Sequence, residues 1–85
     1  MSKHVAVAVF DNAAQCFHPP QFFRATGAAM RWFEDLVKNP EAKEIHSHRE
    51  HFQLFQVGEF DDFDGVLTPS GDRPQLLVNG SAFDG

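Results

Sequence analysis

Three groups of side chains in the 85-residue sequence have the types and spacing to do chemistry, each of a different kind. His46, His48 and His51 form an H-x-H-x-x-H series. Imidazole is a common zinc, nickel or copper ligand, and i, i+2 spacing on an extended segment puts two rings on one side. A structural site needs a fourth ligand, and none lies beside these; Cys16 and His18 would serve only if the fold delivered them. The series is therefore expected to be a solvated loop without a metal. Glu59, Asp61, Asp62 and Asp64 before Gly65 have the composition of a calcium loop. With Gly65 as the invariant glycine, however, Phe60 falls at the first ligand position and Gly71 where a bidentate Glu is required. These acids read instead as a hairpin turn whose charge discourages edge-to-edge pairing. The third group is Arg24, Arg31 and Lys38 along one side of the helix region with Trp32 and an exposed Phe nearby, the minimum for stacking one single-stranded base beside phosphate contacts. These four are the candidate nucleic-acid or partner-binding residues, set against scattered solvated charge as the plainer alternative.

For catalysis there is no nucleophile elbow, no Gly-rich phosphate loop and no supportable Ser/His/Asp spacing, so neither an enzyme nor a cofactor is expected. Cys16, the one cysteine, excludes an internal disulfide and reads as a small buried hydrophobe in a reducing cytoplasm. A net charge of −5 opposes diffuse attraction to phosphate or anionic lipid, so any nucleic-acid site must be local. No apolar run reaches the ~18 residues of a membrane span, and the first residues carry no leader pattern, so a soluble chain is expected.

Positioning these groups falls to a few elements. Val5–Phe10 is apolar throughout, with Ala6 and Ala8 on one face and Val5, Val7 and Val9 on the other, the pattern of a strand covered on both sides. Gln15–His18 is expected to return as a short strand that Pro19 and Pro20 end at a sheet edge. The periodicity of Ala29, Met30, Phe33, Leu36 and Val37 predicts an amphipathic helix over Thr26–Asn39, capped by Thr26 and ended at Asn39-Pro40. Glu41–Glu50 reads as a charged loop. Phe52–Phe60 reads as the central strand, with Phe52, Leu54, Gly58 and Phe60 on one face and Phe55 and Val57 on the other. Val66–Thr68 returns, Gln75–Val78 forms a last strand or an arm, and Asn79–Gly85 has the composition of a frayed end. The expected fold class is α+β: a small antiparallel sheet in ββαββ order with the helix on one face. Residues 1–69 make a single domain and 70–85 an extended C-terminal segment.

The ordered series Phe17-His18-Pro19-Pro20-Gln21-Phe22-Phe23, then Thr26-Gly27-x-Ala29-x-Arg31-x-Phe33, then Val37-x-Asn39, Glu50-x-Phe52-x-Leu54-Phe55, Gly58-Glu59-Phe60-Asp61-Asp62 and Gly65 resembles the small non-structural protein of gokushovirus-type microviruses, single-stranded DNA phages. The resemblance covers about Val5–Leu67. It implies a protein made in the host bacterial cytoplasm during infection and absent from the mature virion. Its implied role is in genome replication and the switch to single-stranded DNA synthesis and packaging, with single-stranded DNA binding as one route. The alternative is a protein-binding switch that contacts the replication initiator or procapsid without touching DNA. Read physically, the shared residues are structural: Pro19, Pro20 and Gly65 as turn geometry, Gly27 and Ala29 as close packing, Phe33, Phe52 and Phe60 as core, with Phe22, Phe23, Gly58, Asp61 and Asp62 supporting. Arg31 is the motif position that should face solvent.

Finally, 10 Phe and no Tyr suit dry contacts, yet a single helix covers only one face of a sheet about four strands wide. A homo-oligomer, dimer or higher, is expected to cover the other, with Gln75–Phe83 as a flap the alternative.

Overall fold

The computed structural model describes residues 2–83, so the ends of the chain, Asp84 and Gly85 of the expected frayed tail among them, lie outside the described residues. Two long antiparallel strands form the centre: β1, Lys3–Asp11, and β4, Phe52–Asp61. Each is flanked by an edge made of two short pieces. Beside β1 lie β2, Cys16–Phe17, and β3, Gln21–Phe23; beside β4 lie β5, Leu67–Pro69, and β6, Gln75–Asn79. All pairings are antiparallel.

Proline explains the broken edges. The first edge pairs Phe10 with Phe17, continues with the His18 N–H on the Val9 carbonyl at 2.8 Å, and resumes one residue out of register with Val7 opposite Gln21. Pro19 and Pro20 sit at the interruption, where a residue without an N–H cannot continue the ladder. On the other side β5 ends at Pro69, and Ser70–Pro74 loops out before β6 re-pairs. The architecture is the expected antiparallel α+β layer with one main helix, extended by β3 and β6 to six strands.

α1, Thr26–Lys38, buries Ala29, Phe33 and Val37, one residue per turn, against Val7, Val9, Phe52 and Leu54. Ala25 occupies the N-cap and Thr26 is already helical, so no side chain caps the helix, contrary to the cap expected from Thr26. Gly27 has open space where a Cβ would stand and plays no packing role; Ala29, fully buried, is the close-packed residue. Glu41–Glu50 is not a plain loop. It folds into a 3-10 turn at Pro40–Ala42, α2 at Glu44–Ser47 and a second 3-10 turn at Arg49–His51, held by partly buried Ile45 against the core and by His46 Nδ1 donating to the Val37 carbonyl at 2.9 Å.

The face assignment of β4 needs correction. Between Ala6 and Val7 the register slips, leaving Val57 as an extra residue in β4. A bulge reverses side-chain alternation beyond it. Gly58 and Phe60 therefore stand opposite Ala6 and His4, on the face of Phe55, and not with Phe52 and Leu54. Phe60 leaves the core for this reason. The tail also differs from a frayed end: Gly80–Phe83 is a 3-10 turn with Gly80 buried and the Phe83 ring edge-on to Phe33 at 6.1 Å.

Candidate functional site

Arg31, Trp32 and Lys38 lie on α1, and Arg24 lies in the short link between β3 and α1. β3 delivers Phe23 opposite Val5, and the Phe23 ring meets half-buried Trp32 at 5.4 Å. Arg24 follows one ring in sequence and Arg31 precedes the other; both are exposed, and among the described residues neither is held by a carboxylate. The two touching rings form a small stacking platform, and Arg24 and Arg31 adjoin it in sequence, each one residue from a ring and so directed to a different side of its element. Lys38 is apart from it: its ammonium lies 2.7 Å from Glu34, in the i, i+4 arrangement. The nearby Phe expected with Trp32 is Phe23, half-buried against the core and not exposed.

On the opposite face is a surface that no single stretch of sequence announced. Register puts His4, Ala6, Ala8 and Phe10 of β1 there, with Phe55, Gly58 and Phe60 of β4. Phe10, Phe17 and Phe55 form one ring cluster, with centroids 4.7–6.0 Å apart. Phe22, Phe60 and His4 form a second, at 5.9 and 6.3 Å. Phe17, Phe22, Leu67 and Leu76 are 43–57% exposed, unusual for such residues in one sheet face. A hollow of about 230 Å³ opens over Ala6 and Gly58, walled by Phe22, Leu67 and Pro69.

The acidic turn behaves as a turn. Asp61 accepts from the Phe63 N–H and Asp64 from the Val66 N–H, both at 2.9 Å, and Gly65 takes a φ of 76° that favours glycine. Asp62 clasps the start of the chain: it accepts the Ser2 N–H at 2.7 Å, the Ser2 hydroxyl at 2.9 Å and the His4 Nε2 at 2.9 Å. The Ser2 backbone bond, then His4 and the Ser2 hydroxyl, hold its carboxyl well below the ordinary 3.8. A depressed folded pKa gives stability that is complete above the unfolded value and is lost as pH falls through the folded one. Asp62→Asn should therefore be less stable than wild type near neutrality, with the gap closing as pH drops below 3.8. Urea unfolding of both proteins across that range checks it, and a gap independent of pH would sink the clasp.

The histidines separate. His48 and His51 stack at 5.8 Å, and with Glu50 their ligand atoms lie within 4.8 Å of one another, all exposed. His46 is turned to the Val37 carbonyl instead. Three exposed ligands without a buried supporting partner are what a solvated turn also looks like. Cys16 is exposed, not buried as expected, because it sits on the two-residue edge strand β2, which no element covers. No helix among the described residues is long and apolar enough to cross a membrane.

A scan against protein-family models matches residues 4–83 to the model described as Phage ORF5 protein. Searches of curated proteins and of solved structures gave no match.

Proposed function

The chain belongs to the phage ORF5 protein family, and from that premise we propose that it is a non-structural accessory factor of a gokushovirus-type microvirus. In this reading it works in the host cytoplasm, outside the virion, during genome replication and the switch to single-stranded DNA synthesis and packaging. It acts by contact and carries out no catalytic step. The observation behind the DNA-binding form of this reading is the Phe23–Trp32 ring pair, with exposed Arg24 and Arg31 next to those rings in sequence. Stacking takes a base of any identity and the two guanidinium groups take flanking phosphates, which suits a factor that meets a whole genome.

A single-strand slope of about −0.7 per phosphate contact makes two contacts worth roughly sevenfold in affinity between about 50 and 200 mM salt. Oligonucleotide anisotropy should show that loss. Arg31→Gln, at an exposed position, should weaken low-salt binding several-fold and flatten the salt slope. The second reading is a switch that binds the initiator or procapsid; the net charge of −5 favours it. Absence of oligonucleotide binding even at low salt would remove the DNA reading and leave that one.

A further inference from the structure

We propose that the aromatic face of the sheet is the interface of a symmetric homodimer, closed by a second copy of the same chain. This goes beyond the DNA-binding reading and does not depend on it, because the Phe23–Trp32 platform lies on the other side of the sheet.

The nearest internal cover is already committed elsewhere. Gln75–Asn79 pairs with the edge of β4, and Gly80–Phe83 folds to the helix side, where Phe83 meets Phe33. A polyanion is a poor occupant, since none of the residues that register places on the face is Lys or Arg, and its one imidazole, His4, is bonded to Asp62. A second copy meets the same apolar chemistry without burying an unpaired charge.

Shape points the same way. Two ridges of phenylalanine, Phe17 with Phe55 and Phe22 with Phe60, rise beside a floor made of Ala6, Ala8 and Gly58, with Phe22 opposite Ala6 and Phe55 opposite Ala8. Ala6 and Ala8 are 2% and 4% exposed, so the floor sits low between the ridges. A two-fold operation sets the ridge of one copy over the floor of the other and repeats the contact in reverse, as an isologous interface requires. At ~3.3 Å per residue and ~4.8 Å between strands, a face four ribbons wide and about nine residues long spans roughly 500 Å². Two such faces bury about 1,000 Å², the lower bound for a specific interface. The product is an α/β/β/α sandwich with an α1 on each outer surface.

Light scattering on the full chain at tens of micromolar should give about twice the 9.6 kDa chain mass. Phe22→Glu and Phe17→Glu, at positions already more than two-fifths exposed, should return it to the monomer with far-UV spectra unchanged. Phe63→Glu, in the turn and 75% exposed, should leave the dimer intact. If either face variant fails to fold, the wild-type thermal midpoint decides: it rises with concentration for a dimer and is constant for a monomer. A wild-type mass of 9.6 kDa with a constant midpoint overturns the proposal and hands the face to a different protein. A Phe63→Glu monomer overturns it too, by placing the contact at the turn.

Discussion

Phe33→Ala is expected to remove about 3–5 kcal/mol of folding stability, the usual cost of truncating a buried phenylalanine. Phe33 is fully buried and stands in the middle of the one core cluster, with α1 behind it, Val7, Val9, Phe52 and Leu54 before it and Phe83 edge-on at its side. The sheet below is fixed by its ladder and Phe83 by the turn that carries it, so the cavity has little freedom to collapse. At ~0.05–0.15 kcal/mol per residue, a chain of this length holds about 4–13 kcal/mol in total. The substitution therefore takes about a quarter of it or more. At about 4–8 °C per kcal/mol for a domain of this size, the thermal midpoint should fall by roughly 12–40 °C. Phe63→Ala, at a ring 75% exposed in the turn, should change stability by less than about 0.5 kcal/mol. Urea unfolding at one fixed protein concentration compares the two. Equal losses would mean that Phe33 is not the centre of the core.

The contrast between those phenylalanines shows what the sequence made legible. Phe33 recurs with Ala29 and Val37 at helical spacing, and a 3.6-residue period is a local signal, so the helix and its buried side follow from the residues alone. Val5–Phe10 was legible for the same reason, two alternating apolar sets with no polar interruption. Phe60 was not. Its face depends on one extra residue, Val57, and a bulge is a property of two paired strands that neither strand carries by itself. The aromatic surface was hidden by that slip and by distance along the chain: Phe10, Phe17 and Phe55 become neighbours only when β2 and β4 flank β1. At the candidate site, periodicity places Arg31 on the exposed helix side and Trp32 at the border of the apolar stripe, where it is half-buried. Phe23 needed the one-residue offset at Pro19-Pro20 that turns it to the helix side. Glu41–Glu50 misled because its charge marked it as solvated, while single anchors such as Ile45 and the His46–Val37 bond were enough to fold it.

Gly80 marks the other position where a small change should have a large effect, and here the cause is steric. Gly80 is buried and its φ is not in the left-handed region, so the restriction is space alone. A Cβ at this position would collide with the carbonyl oxygen of Arg49 and lie 2.9 Å from that of Phe52 and 3.0 Å from the Arg49 carbonyl carbon. All three are backbone atoms of the entry to β4, so none can swing aside as a side-chain tip would. Gly80→Ala must then lift the C-terminal turn. That breaks the bond in which the Arg49 guanidinium donates to the Phe83 carbonyl at 3.0 Å, and it withdraws the Phe83 ring from Phe33. Overpacking costs typically about 1–3 kcal/mol, and this case belongs at the upper end because a hydrogen bond and part of the core cover leave together. Gly58→Ala is the informative comparison. Its Cβ would stand 2.5 Å from the Thr68 carbonyl oxygen, but Thr68 lies in three-residue, solvent-exposed β5, which can shift outward, so a loss of about 1 kcal/mol is expected there. Amide exchange distinguishes the two routes: Gly80→Ala should deprotect β6 and the C-terminal turn, Gly58→Ala only β5. A Gly80→Ala protein as stable as wild type, with β6 still protected, would show that the C-terminal turn is not seated on the Arg49–Phe52 backbone.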